Sequence, residues 1–382
     1  MAAALLTLAV GPASAQPSPD ETDQSPAEET DAVAPVADQA PPDAAPAPSG
    51  QPRADFPYGV LLADIGSAPA AHDAGFRVMA TTVSWRRTEP SRGQYLFEQQ
   101  DQWGQTAPND ITNLITAARN NGLKFGLRLI DPPDWAGGSP ARAQPADLED
   151  YVYHVVRYAH DSLAYFELFN EQNLAFEWGA RPDPAGYARL MAAAHRGAKR
   201  ADPSVPVINA GPSQRTGGRG GSMEDVDWLD GLLNAGGGAS VDALGVHAYL
   251  GSFDPSTDPS CTPLCFREIE TFRELMQRHG DTQPMYITEM GTLEETGTDL
   301  GEFNWMKLTS EARATYLVKA LQMANTQYTW LRGATVFNLD YAAAGSIPSS
   351  SEQFWFSLLN PDRSPRPAYS RFQQARQSSE LP

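Results

Sequence analysis

Residues 164–173 read AYFELFNEQN, and residues 285–291 read MYITEMG. Each is a short apolar, β-favouring run that ends in a glutamate, Glu171 in the first and Glu289 in the second. Runs of this kind recur along the chain. Candidate strands are Tyr58–Ile65, Arg77–Trp85, Lys124–Ile130, Ala164–Phe169, Val205–Ala210, Ala243–Ala248, Met285–Thr288 and Gly333–Leu339. They alternate with helical patterns. Asn109–Asn121 carries Ile111, Leu114, Ile115 and Ala118 at the spacing of one helix face, and Gly122 stands where a C-terminal cap belongs. Ala68–Ala74, Asp147–His160, Ala185–Arg200, Asp225–Leu233, Phe266–His279, Thr309–Asn325 and Ala368–Arg376 fit the same role. Strands that alternate with helices through short connections predict a parallel sheet with helical crossovers. Eight such units fit a closed (β/α)8 barrel better than an open doubly wound sheet. The open sheet calls for a Gly-rich turn after the first strand, and Asp64-Ile65-Gly66-Ser67 stands there instead. The glycine cluster at 216–221 lacks the Lys-Ser/Thr of a phosphate loop and reads as a flexible loop.

The ends of the chain differ from this body. Residues 1–15 (MAAALLTLAVGPASA) have no charge, a short apolar run and a small-x-small ending, and read as a signal peptide without the usual basic start. The alternative is a disordered Ala-rich beginning. Residues 16–54 hold nine prolines, no aromatic residue, and eight acids against Arg53. Such a segment cannot bury enough apolar surface to offset its ordering entropy, so a disordered linker is expected. All 36 aromatic residues fall in 55–382, the predicted single barrel domain. Of the net charge of −19, the linker carries −7, which leaves −12 for the barrel. That balance argues against nucleic-acid or anionic-membrane binding. No apolar run approaches the ~18 residues of a membrane span. Cys261 and Cys265 are the only cysteines. In an exported protein they would form an intraloop disulfide, and otherwise stay free thiols. Two such ligands with no nearby histidine make a poor metal site.

In a barrel of this kind, chemistry sits at the carboxyl ends of the strands. There the chain offers Asn170-Glu171 after the fourth strand, His247 and Tyr249 after the sixth, Glu289 after the seventh and Asn338 after the eighth. Strands four and seven lie nearly opposite, so Glu171 and Glu289 would face each other across the mouth. Cleaving an acetal needs such a pair, one group to protonate the leaving oxygen and one to attack or stabilise the oxocarbenium-like carbon. A carboxyl gap of ~5–5.5 Å gives retention and ~6.5–9.5 Å inversion. Either glutamate alone could be an ordinary polar strand end. Trp85, Trp135, Trp178 and Trp355 lie near strand ends, where indole faces could stack on sugar rings, or could instead pack between helices. Arg128 interrupts an apolar strand and, if buried, needs a partner, either a site carboxylate or a structural one. The six histidines form no H-x-H or H-E-x-x-H, and no G-x-S-x-G is present, which disfavours metal-dependent and serine hydrolases.

With these residues in view, the chain resembles the clan A glycoside hydrolases, retaining (β/α)8 enzymes, over about residues 56–376. FELFNEQN (166–173) is similar to their strand-four motif W-N-E-P-N, YITEMG (286–291) to their strand-seven T-E-x-G, and GVHAY (245–249) to their strand-six His-x-Tyr. DPPDWA (131–136) and the tail WFSLLNPDRSPRPAYSRF (355–372) add to a likeness to bacterial family 39-type and related cellulase-superfamily proteins. The resemblance implies Glu171 as acid/base, Glu289 as nucleophile, and Asn170 as the partner of the sugar's 2-hydroxyl. His247 and Tyr249 would lie beside the pair, and Arg128, Trp135, Trp178, Asn338 and Trp355 would complete the substrate site. Phe169 and Gln172 replace the motif's Trp and Pro, and Phe337-Asn338 stands where many members carry Trp. The longer family 39 xylosidases also carry a β-sandwich, for which this chain has no room, so xylosidase activity is not carried over. The expectation is a secreted or cell-surface monomer that cleaves a polysaccharide or oligosaccharide without metal or cofactor. A non-catalytic glycan-binding protein on the same barrel is the alternative. A metal-dependent barrel hydrolase or lyase is the third.

Overall fold

Two tyrosine rings, from Tyr165 and Tyr286, meet inside the sheet with centroids 4.8 Å apart, and the strands close around them. The structure, a computed structural model, describes residues 50, 52–97, 111–345 and 347–381. The segment read as a signal peptide and most of the linker lie outside those residues, as does the start of the helix expected from Asn109.

Eight parallel strands form one sheet: β1 (Tyr58–Leu61), β2 (Val78–Ser84), β3 (Lys124–Ile130), β4 (Leu163–Leu168), β5 (Val207–Asn209), β6 (Leu244–His247), β7 (Met285–Met290) and β8 (Leu331–Val336). Their order is β5-β4-β3-β2-β1-β8-β7-β6. The remaining seam, between β5 and β6, is joined by one parallel bridge, Ile208 to Ala243. Side chains complete it. Asn209 donates through Nδ2 to the Gly245 carbonyl at 3.0 Å and accepts from the Gly245 amide at 2.9 Å. Asp242 accepts from the Val207 amide at 2.7 Å. The result is a nearly closed barrel.

One principal helix follows each strand: α1 (Ala68–Asp73), α2 (Ile111–Asn120), α3 (Pro145–Ala159), α4 (Pro184–Ala201), α5 (Asp225–Asn234), α6 (Ile269–Arg278), α7 (Ser310–Thr326) and α8 (Pro367–Gln377). Local chemistry sets their starts. Pro145, Pro184 and Pro367 occupy first-turn positions, where a missing amide costs nothing. Asp183 and Thr309 cap α4 and α7 by accepting from Gly186 and Ala312 amides. In α2 the apolar stripe Ile111, Leu114 and Ala118 is buried against the barrel.

Several elements differ from the sequence expectation. The first strand stops at Leu61 rather than Ile65, because the Asp64 carboxylate accepts from the Gly66 amide and starts a short turn. The second stops at Ser84, which caps a one-turn helix, Trp85–Thr88. The seventh runs on to Met290, so Glu289 belongs to the strand itself. A two-residue parallel pairing of Leu293–Glu294 with Lys307–Leu308 was not expected. Arg53, from the segment read as linker, is tied to the body by donating to the carbonyls of Leu331, Asn325 and Ala324 at 2.6 to 3.0 Å. Cys261 and Cys265 form a disulfide.

The barrel interior alternates small and large residues. A Cβ on Gly126 would lie 2.2 Å from the Tyr165 ring, and one on Gly333 would lie 2.3 Å from that of Tyr286. Both positions therefore need glycine for the tyrosines to fill the lower interior. Among the described residues no helix is long and apolar enough to cross a membrane.

Candidate active site

The two glutamates reach the barrel mouth by different routes. Glu289 stands in β7, in register with His247 of β6. Beyond β4 the chain turns abruptly. Phe169 and Glu171 both have left-handed backbone, at φ 66° and 43°. Such conformations cost non-glycine residues of order 1–3 kcal/mol each and persist only when the surroundings enforce them. Here Asn173 provides the restraint. It donates to the carbonyls of Ser213 and Met223 and accepts from the Ser213 amide, at 2.8 to 3.0 Å. Tyr187 adds a second tie, donating to the Leu168 carbonyl and accepting from the Ala210 amide, each at 2.7 Å.

Around Glu289 the contacts are dense. Arg128 of β3 is buried and donates to Glu289 Oε1 through Nη1. Its Nε donates to Glu167 at 2.8 Å, from the position on β4 directly in register. Tyr249 donates its hydroxyl to Glu289 Oε2 at 2.6 Å. Burial pushes the Glu289 carboxyl up, but His247, Arg128 and Tyr249 outweigh it and hold the group below its ordinary value. Tyr249 is driven well up by burial and by Glu289. Burial depresses His247, yet the carboxylates of Glu289 and Glu171 overcome it and leave the ring above its ordinary value.

Glu171 is also buried, and its Oε1 lies 3.0 Å from His247 Nδ1. The same nitrogen is 3.8 Å from Glu289 Oε2. One donor atom from each of Glu171, His247 and Glu289 lies within 4.8 Å of the other two. This is the one trio of metal-ligand types found among the described residues, and Arg128 already supplies fixed positive charge against it. Gly211 leaves room for the imidazole, since a Cβ there would stand 2.4 Å from His247 Cδ2.

The structure thus brings Arg128, Glu171, His247, Tyr249 and Glu289 together. Asn170 lies beside them, donating to Glu177 Oε1 at 3.1 Å. Asn338 is fully buried. It donates to the Gln353 carbonyl and accepts from Tyr341 and Ser357, so it holds the loop after β8. Trp135 donates to the Glu89 carbonyl, with the Arg92 guanidinium 5.0 Å from its ring. Trp85 and Trp178 are buried, stacked on Tyr151 and set edge-on to Tyr187 respectively. Trp355 is partly buried against the cluster of Tyr249, Phe337 and Phe356. Two acids at the site were not singled out in the sequence. Glu167 was readable in principle, since it shares the inward phase of β4 with a register partner, Arg128. Glu177, on the one-turn helix Ala175–Trp178, had no signal beyond its nearness to Glu171. Burial and Glu171 push it up to about 7, against the pull of Asn170.

No family model matches the chain, and no curated protein does. Solved structures do. A family 39 glycoside hydrolase from the gut symbiont Bacteroides cellulosilyticus WH2 matches with a TM-score of 0.63 at 20% identity, covering 84% of this chain and 63% of that one. The chain thus spans less than two thirds of that enzyme. A glucosidase from Croceicoccus marinus matches at 0.58 and 16%, covering 86% and 69%. An exo-β-1,4-mannosidase from Opitutaceae bacterium strain TAV5 matches at 0.54 and 13%, covering 85% and 60%. At these identities the likeness is one of fold, and a barrel of this kind hosts many chemistries.

Proposed function

We propose that this chain is a retaining glycoside hydrolase that acts by double displacement, with Glu289 as nucleophile and Glu171 as acid/base. The observation that carries the reading is the carboxylate separation. Oxygens of the two groups approach within 4.8 Å, near the ~5–5.5 Å of retaining pairs and short of the ~6.5–9.5 Å that leaves room for an attacking water. In the first step a Glu289 oxygen bonds to the anomeric carbon as its bond to the leaving oxygen breaks. Glu171 gives that oxygen its proton. In the second, Glu171 takes a proton from water, the water oxygen bonds to the anomeric carbon, and Glu289 leaves as carboxylate. The surroundings suit these roles. Arg128 and Tyr249 keep Glu289 ionised and aimed. His247 orients Glu171 from the opposite side.

The structurally similar proteins carry the names glycoside hydrolase, glucosidase and mannosidase, and their sugars differ. The reading therefore takes a polysaccharide or oligosaccharide as substrate, with no cofactor and a monomer as working form. It includes export directed by residues 1–15, in keeping with a disulfide at Cys261–Cys265. The test uses a panel of activated 2-deoxy-2-fluoro glycosides. A slow covalent adduct on Glu289, seen by peptide mass spectrometry and absent in Glu289→Gln, supports the reading. Azide rescue of Glu171→Ala supports the acid/base role. Full hydrolytic activity in Glu289→Gln sinks the assignment.

A further inference from the structure

Glu177 stands at the site with no opposite charge bonded to it. Its side chain is partly exposed beside Glu171, and it accepts a hydrogen bond from an uncharged amide, Asn170 Nδ2 at 3.1 Å. Among the described residues no lysine, arginine or histidine forms an ion pair with it. Arg128, the fixed cation that acts on Glu177, is already engaged by Glu167 and Glu289. Burial and the carboxyls of Glu171 and Glu289 raise the Glu177 carboxyl, and Arg128 is the cation that opposes them. A second observation points the same way. Asn170 is more than nine-tenths buried, and its Oδ1 has no hydrogen-bond partner. Glu177 requires the Nδ2 edge of that amide, which fixes Oδ1 as an acceptor. A carboxylate without a cation and an orphaned carbonyl oxygen therefore lie on adjoining groups, and both call for N–H or O–H donors.

On the glycosidase reading above, the anomeric carbon sits between Glu171 and Glu289. Of the two ring atoms that flank it, only C2 bears a substituent able to donate. A hydroxyl there gives one hydrogen bond and no charge. An ammonium gives three donors and the missing positive charge. A carboxylate-bearing sugar would add repulsion. We propose that Glu177 and Asn170 form a subsite for the ammonium group of an amine-bearing sugar, so that the preferred substrate is a cationic glycan with free amines at C2. Binding would then hold Glu177 ionised, and a group that titrates near 7 when empty would release a proton as the ligand enters.

The test measures binding apart from turnover, in the Glu289→Gln protein at pH 5.5, where the sugar amines already carry their protons. Its probes are glucosamine hexamer, N-acetylglucosamine hexamer and cellohexaose, which share one β-1,4 backbone and differ at C2. Calorimetry in buffers of different ionisation heat reads both affinity and proton release. Glucosamine hexamer is expected to bind ~10-fold more tightly than cellohexaose, as a buried charge-assisted pair allows, and to release protons. Adding Glu177→Gln should abolish both effects. Adding Glu274→Gln on the exposed face of α6, which makes the same change in net charge, should abolish neither. Equal affinities, no binding of the amine at millimolar concentration, or a preference that survives Glu177→Gln overturns the proposal. Hydrolysis by the unaltered chain is scored separately. An amine preference with no cleavage of any glycan sinks the enzymatic reading and leaves this subsite standing. Cleavage without amine preference does the reverse.

Discussion

The carboxyl ends of β4 and β7 present the same side chain on opposite kinds of support. Glu289 is held in extended strand, and both its oxygens are bound by rigid partners, the Arg128 fork and the Tyr249 phenol. Glu171 stands on a turn whose backbone is left-handed on either side of Asn170, and it bonds to a single histidine. The contrast suits a division of labour. A nucleophile needs a fixed position and a fixed charge, which a strand and a guanidinium supply. An acid/base must gain and lose a proton in each cycle, and a carboxylate pinned by an arginine could not do so readily. Strain at the β4 end is tolerated because Asn173 and Tyr187 tie the turn to the segment that follows β5.

The sharpest way to break this comparison is to exchange the charge at each end. Glu289→Gln should lower kcat by roughly 10⁴-fold or more, with the fold intact by circular dichroism. Glu171→Gln should cost less on substrates with a good leaving group, which need no proton; equal losses on good and poor leaving groups would erase the distinction. Arg128→Met leaves Glu167 buried without a cation and Glu289 with His247 alone, and should cost about 3–5 kcal/mol in denaturant unfolding as well as activity. Tyr249→Phe removes one group that holds Glu289 low. Its carboxyl should rise, so the acid limb of the kcat/KM–pH profile should move to higher pH, with roughly a 10²-fold loss of kcat. An unmoved limb would mean that Arg128 and His247 suffice. Gly211→Ala crowds His247, which bonds Glu171 and helps to hold Glu289 low, and should lower kcat about 10-fold, with the acid limb moving to higher pH as the imidazole is displaced. The smallest effect is on stability. Glu177 titrates near 7 in the fold against an ordinary 4.5, so the folded state binds its proton more tightly than the unfolded chain does. Stability should therefore fall as pH rises from about 4.5 to 7, and Glu177→Gln should flatten that decline in denaturant midpoints.

Much of this was legible in the chain because the signals are local. A strand reveals itself by its side-chain composition, and a helix start by a proline or a capping aspartate, so all eight repeats could be read with ends displaced by a few residues. The caps responsible for two early strand endings, Asp64 and Ser84, were visible but act only once the chain turns. What was not legible depends on neighbours far away in sequence. Glu167 lies within the stretch that decided the fold, but its importance comes from register with Arg128, 39 residues earlier. Trp85 and Trp178 lie near strand ends as a sugar platform would, yet sequence position does not tell which side of the wall an indole occupies. Glu177 depends on Asn170 turning toward it, a consequence of the left-handed turn.

The seam between β5 and β6 has a bearing on solubility. Asn209 offers one donor and one acceptor in the geometry of a peptide unit, and so stands in for a rung of the ladder that the backbone does not complete. An Asn209→Ala chain would keep its reacting groups, the Ile208–Ala243 bridge and the Asp242–Val207 bond, but would leave the facing edges of β5 and β6 less fully paired. Exposed edges recruit strands from other molecules. One amide side chain thus helps to keep two strand edges from pairing with those of other molecules.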